Sequence, residues 1–203
     1  MPGWGMAGIV SLETGMLADY CLRMIQTEDR ENKVLVTKTV YKGIMLYCIV
    51  TGIWIGFMLK HWHWYGQLAC GLLAAYLLVA SIQDIQTCQV YDFLHAVIFP
   101  VGIFLVLTPP SGEQLISLGI FVLLQFGLFM RMYGAADGLV FLICAIFESR
   151  FGDGLLTYLL HMGMAFLVLG IVQAFRRNIN RRGNLKEPVA FVPYITATVW
   201  LFL

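Results

Sequence analysis

The sequence predicts an all-α membrane protein: a polytopic transmembrane helical bundle with a six-helix core and one further span in front of it. Three observations carry this. Of 203 residues, 60% are hydrophobic and only 12% charged, against roughly 45–50% and 25% in ordinary soluble domains. The apolar residues gather into runs that approach the roughly 20 residues a helix needs to cross a bilayer. The Lys and Arg residues concentrate in alternate loops, the asymmetry that orients a polytopic chain.

Residues 1–41 read as a cytoplasmic N-terminal segment. Its first residues, MPGWGMAGIV, lack the basic region and the long apolar core of a signal peptide. In LETGMLADYCLRMIQT (12–27), Met16, Leu17, Tyr20, Cys21, Met24 and Ile25 share one helical face. This predicts a helix on the inner membrane surface or against the bundle. RENKVLVTKTV follows as a charged connector. Spans are expected at 42–60, 64–83, 93–108, 114–131, 154–175 and 188–203, with 42–63 standing ahead of a 64–203 core. A seventh apolar segment, 137–149, begins on Asp137 and is too short to cross alone, so it needs shelter in the bundle or extension at either end. Pro109-Pro110-Ser111-Gly112 and Gly152-Asp153-Gly154 punctuate the pattern.

With residue 1 inside, eleven basic residues lie on the cytoplasmic face: Arg23, Arg30, Lys33, Lys38, Lys42, Arg131, Arg176, Arg177, Arg181, Arg182 and Lys186. Lys60 and Arg150 lie outside, and so does the C-terminus. The run RRNINRRG is an inner-face anchor that also suits anionic lipid headgroups. A net charge of +1 leaves no footprint for nucleic acid. Five scattered cysteines without a C-x-x-C argue against a zinc site or a disulfide framework. No metal and no cofactor is expected.

Two aspartates break the apolar pattern. Asp84 ends the 64–83 span and Asp137 opens the 137–149 segment, both at the cytoplasmic face. Ionisable groups at the edge of a span usually face the protein interior and are functional candidates. At a helix N-terminus the dipole favours a carboxylate, which gives Asp137 a structural alternative; Asp84 sits at a C-terminus, where the dipole disfavours it. Two carboxylates held together cannot both ionise easily. Such a pair shares a proton, one member activating water and the other protonating a leaving group.

The residues around them carry a resemblance. Asp84, Val90, Tyr91, Asp92 and Leu94 stand in a D-x5-V-Y-D-x-L pattern that resembles the D-x5-I-P-N-x-L signature of type IV prepilin peptidases, the GxGD-type membrane aspartic proteases. Gly134-Ala135-Ala136-Asp137 is similar to their G-x-G-D. EPVAFVPYI (Glu187–Ile195) resembles the Pro-Phe-x-x-Pro segment that opens their last helix. The resemblance covers about 64–203. It implies an endopeptidase with an Asp84/Asp137 dyad, cutting the basic leader from a type IV pilin-like precursor of a pilus or secretion system. Tyr91, Asp92, Phe191 and Pro193 become candidates for substrate contact. The zinc-binding methyltransferase domain of many family members has no counterpart here. Tyr91, Asp92 and Ala136 depart from the family's Pro, Asn and Gly. Ala136 supports one alternative, a non-cleaving relative that binds pilin-like helices as an assembly factor; a proton-coupled transporter is another.

The other polar residues have plainer readings. Asp92 either meets a basic leader or caps the next helix. His95 and His161 have no partner in helical register and read as hydrogen-bonded bundle histidines. His61 and His63 flank tryptophans of an interfacial belt. Glu148 lies near the outer end of its segment, away from the dyad.

Overall fold

The computed structural model describes residues 3–28, 36–59, 63–107, 112–151, 154–179 and 189–203. Among them are eight α-helices and a 3₁₀ turn at Phe129–Arg131, with no strand. The helices are α1 (Gly3–Glu28), α2 (Lys38–Met58), α3 (Trp64–Thr87), α4 (Asp92–Leu107), α5 (Gly112–Gly127), α6 (Ala135–Phe151), α7 (Leu155–Ile179) and α8 (Val192–Val199). Lys38–Met58, Trp64–Thr87, Gly112–Arg131 and Leu155–Arg176 are long and apolar enough to cross a membrane; Asp92–Val106 is apolar but shorter.

The expected segments thus appear as helices, with differences in extent. α6 extends past 137–149 at both ends. α8 has eight residues, about 12 Å at 1.5 Å per residue, so this helix alone does not carry the chain across as the 188–203 span was expected to. α1 is longer than 12–27, and Met16, Tyr20 and Met24 point outward while Val10, Thr14, Ala18, Leu22 and Ile25 are buried. The Pro109-Pro110-Ser111 stop, the Gly152-Asp153 break, His61, Arg181 and Arg182 of the basic run, and Glu187 and Pro188 lie outside the described residues.

The chain divides into two compact units, Met1–Leu105 and Val106–Leu203. In the first, α3 is the central element, buried along most of its length from Gly66 to Asp84. α1 packs against both α2 and α3. The α1–α2 contact depends on glycine: a Cβ at Gly56 would meet the Ala7 backbone at 2.7–2.8 Å, and one at Gly52 would overlap the Ser11 hydroxyl. Small residues at four-residue spacing allow such close helix approach. In the second unit α6 is the buried helix, with Val140 through Ser149 almost wholly covered. Phe121 of α5, Ala145 of α6 and Tyr158 of α7 form one cluster, backed by Leu118, Leu155 and Leu159.

Candidate functional site

Asp84 belongs to the first unit. Its side chain sits in the last turn of α3 and the residue is 5% exposed. α3 runs one turn further than expected, to Thr87, and stops at Cys88, whose backbone is left-handed (φ 53°) and whose N–H donates to the Asp84 carbonyl at 2.8 Å. The return loop is pinned by Asp84's neighbour: the Gln83 side-chain oxygen accepts from the Tyr91 N–H at 3.1 Å. The Thr87 hydroxyl donates to the Gln83 carbonyl at 2.9 Å. The four loop residues 88–91 therefore hold Asp84 and Asp92 at one end of the unit. Asp92 is exposed in the first turn of α4, where the helix dipole favours a carboxylate. Tyr91 is half-buried, its ring 6.2 Å from that of Phe93. Further along α4, His95 Nδ1 lies 2.8 Å from the Tyr76 hydroxyl, a bundle histidine as expected.

Asp137 belongs to the second unit, half-buried in the first turn of α6. The Gly138 N–H donates to the Gly134 carbonyl at 3.1 Å, closing that turn. Among the described residues the only non-glycine with positive φ is Cys88, so Ala136 has an ordinary helical backbone. The position that needs a glycine is Gly138. A Cβ there would meet Met130 Cγ at 2.8 Å and Gln125 Nε2 at 3.3 Å. Gln125 is fully buried; its amide N–H donates to the Gly138 carbonyl at 2.9 Å and its oxygen accepts from the Tyr133 hydroxyl at 2.8 Å. This side chain therefore braces the segment preceding Asp137 against α6.

Tyr133 also connects Asp137 to the last helix. Burial pushes the Tyr133 phenol up to about 12; the Gln125 hydrogen bond opposes the shift and the nearby Asp137 charge adds to it. Its ring centroid lies 5.7 Å from Phe141 and 6.2 Å from Phe191. Phe191 is 4% exposed and lies 4.7 Å from Phe166. Phe191 thus fixes the start of α8 by packing, and the neighbouring Pro193, half-buried in the first turn of α8, keeps more free surface.

The sequence reading missed one buried constellation. Glu148 on α6 and His161 on α7 meet as an ion-pair contact, Oε1 to Nδ1 at 2.5 Å, with side chains 0% and 2% exposed. The other ring nitrogen, Nε2, lies 3.2 Å from the Ile195 carbonyl of α8. A carbonyl only accepts, so Nε2 is the donor in that bond. Phe141 and Phe202 flank the ring at 5.5 and 5.6 Å. The pair ties three helices of the second unit together. Its sequence signal was the turn between them: Glu148 and His161 lie on either side of Gly152-Asp153-Gly154, the connection of a helical hairpin.

Each aspartate thus stands at a helix end beside a loop held by a glutamine, Gln83 in the first unit and Gln125 in the second. Among the described residues no group of three or more His, Cys, Asp or Glu is placed to hold a metal ion. No family model, no curated protein and no solved structure matches this chain.

Proposed function

We propose that the protein is a membrane-embedded aspartic endopeptidase of the prepilin peptidase type. Asp84 and Asp137 share a proton at the cytoplasmic face of the inner membrane and cut the basic leader from type IV pilin-like precursors. The observation that carries this reading is Asp84: a buried carboxylate in the last turn of a helix, where the dipole opposes it, beside a loop pinned by its neighbour Gln83. The helix itself does not favour a carboxylate at that position, which supports a functional role for Asp84. Asp137 supports the reading through its place at the opening turn of α6 and the Gln125–Tyr133 brace beside it. The orientation read from Lys and Arg puts the loop after α3 and the start of α6 on the inner face. One aspartate acts as base toward water and the other as acid toward the leaving amine.

The assembly-factor alternative rests on Ala136 in place of the family's Gly; its backbone is not left-handed, so what the cleavage test decides is whether the close approach that a glycine allows is needed. A proton-coupled transporter is the second reading, favoured by the buried Glu148–His161 contact, because carboxylates within membranes relay protons. The experiment is co-expression of a pilin-like precursor with the wild type, Asp84→Asn, Asp137→Asn and the double variant. Peptidase action predicts stable protein, uncut precursor in each single variant, and no further loss in the double, since residues that act as a unit are non-additive. Near-normal cleavage by either Asn variant refutes the dyad. Intact precursor with the wild type, together with proton flux in proteoliposomes that Glu148→Gln abolishes, establishes the transporter instead.

A further inference from the structure

Glu13, Asp19 and Arg23 lower the apolar character of α1, and it is not among the helices that qualify as spans by length and hydropathy. Its packing fixes its depth independently of composition. Trp4 stacks edge-on against Phe57 with ring centroids 4.6 Å apart. Ala7 lies against Gly56, Ser11 against Gly52, and Gly15 faces Cys48. As α1 advances from 4 to 15 its partners on α2 fall from 57 to 48, so the two helices run antiparallel and side by side. α2 is long and apolar enough to cross a membrane. Where α2 crosses, α1 lies at the same depths.

The polarity of α1 points the same way. Its outward stripe is Trp4, Ile9, Leu12, Met16 and Tyr20, all large and exposed. Its inward side carries polar groups. Thr14 is fully buried and donates to the Gly71 carbonyl at 3.2 Å. The Glu13 carboxyl is turned toward Gly71, where one oxygen is buried without a hydrogen-bond partner among the described residues. Water would penalise this arrangement twice, by wetting the apolar stripe and by burying a carboxyl. In a bilayer the stripe is solvated by lipid, and polar groups belong inside. At 26 residues, α1 is about 39 Å long by its rise per residue, more than the roughly 30 Å hydrocarbon layer. An open groove of 790 Å³ between α1 and α2, walled by Leu12, Met16, Met45 and Ile49, has Arg23 among its lining residues. Acyl chains suit such walls.

The geometry points to α1 as a membrane-spanning helix whose Trp4–Leu12–Met16–Tyr20 face is covered by lipid, with residues 3–5 and the first turn of α2 on opposite sides of the membrane. Residues 1–22 contain no Lys or Arg, whereas 23–42 contain Arg23, Arg30, Lys33, Lys38 and Lys42. By the positive-inside asymmetry the start of α1 therefore faces outward, which revises the cytoplasmic placement expected for residues 1–41. This inference does not depend on the peptidase reading.

Two single cysteines in a cysteine-free full-length chain test it. Gly5→Cys introduces a Cβ with nothing within 4 Å, and Lys38 is exposed at the first position of α2. An impermeant maleimide should label Gly5→Cys in intact spheroplasts and Lys38→Cys only after permeabilisation. Labelling of both from the same side overturns the proposal. A spin label on Met16→Cys supplies a second measurement: collision with oxygen should exceed collision with a water-soluble nickel complex. The reverse order shows the stripe in water and overturns the lipid-covered face.

Discussion

Glu148→Ala tests whether one buried contact holds the second unit together. The substitution leaves the His161 ring, 2% exposed, facing a space where a carboxylate oxygen stood 2.5 Å away. Two magnitudes compete. Removing one partner of a buried pair costs about 3–5 kcal/mol in soluble proteins. Interhelical polar contacts inside membranes couple by only about 0.6–1.7 kcal/mol, because the unfolded chain also finds partners there. The first figure applies to the single variants, since Glu148→Ala orphans an imidazole and His161→Ala orphans a carboxylate. The second applies to the coupling between them. We therefore expect Glu148→Ala and His161→Ala each to lose about 3 kcal/mol, and the double variant to lose less than their sum by about 1–2 kcal/mol. Glu148→Gln keeps the volume and a polar partner for Nδ1, so its loss should be about 1 kcal/mol. The assay is reversible unfolding of purified protein in mixed micelles, followed by helix content. Additive losses, or a Glu148→Ala loss below about 0.5 kcal/mol, would show that the pair is not a clamp on α6, α7 and α8.

Three further predictions concern the loops beside the aspartates. Gly138→Val should lower stability by about 1–3 kcal/mol through overpacking and suppress precursor cleavage, because its side chain displaces Met130 and the Gln125 amide. Ala136→Gly relieves no left-handed backbone and should retain cleavage while losing up to about 1 kcal/mol of helix stability; cleavage assays and melting curves on both variants check this. Cys88→Gly should raise stability by about 1 kcal/mol, since the left-handed backbone at φ 53° is strained for an L side chain, and the same melting assay should show Cys88→Val shifted downward.

Long apolar runs and loop punctuation made most of the helices legible, because in a membrane each backbone must satisfy its own hydrogen bonds and a helix is the direct solution. α3 starts at residue 64 as expected, and α5 and α7 start within two residues of expectation. Helix ends were less legible where local chemistry decides them. α3 continues past Asp84 because Cys88 accepts a left-handed backbone, which cysteine does not advertise. At the candidate site, the proximity of Tyr91 and Asp92 to Asp84 followed from sequence spacing. The glycine requirement at Gly138 did not: it arises from Met130 and Gln125 reaching across from residues 8 and 13 positions away, a tertiary contact without local periodicity. Likewise the face of α1 that looked apolar enough to bury is split, with Met16, Tyr20 and Met24 exposed and Ile25 buried, because small residues rather than large ones make the close approach to α2.

That packing bears on how the polar residues of this chain should be weighed. Where lipid is the solvent, burying Leu or Met gains little, and packing of small residues with interior hydrogen bonds holds helices together. Thr14 on the Gly71 carbonyl, Gln125 on the Gly138 carbonyl and Glu148 on His161 all meet that need. Each joins two helices within one unit. Thr14 and Gln125 are thereby hydrogen-bonded inside their units. Asp84 stands in the last turn of α3 and Asp137 in the first turn of α6, each next to a loop that a buried glutamine restrains; Glu148 shares a last-turn position, in α6, but faces His161. Helix ends at a membrane face are where a hydrophilic leader and an apolar substrate helix can both be accommodated. The loops pinned by Gln83 and Gln125 single out the two aspartates as the carboxylates on which the chemistry should be tested first.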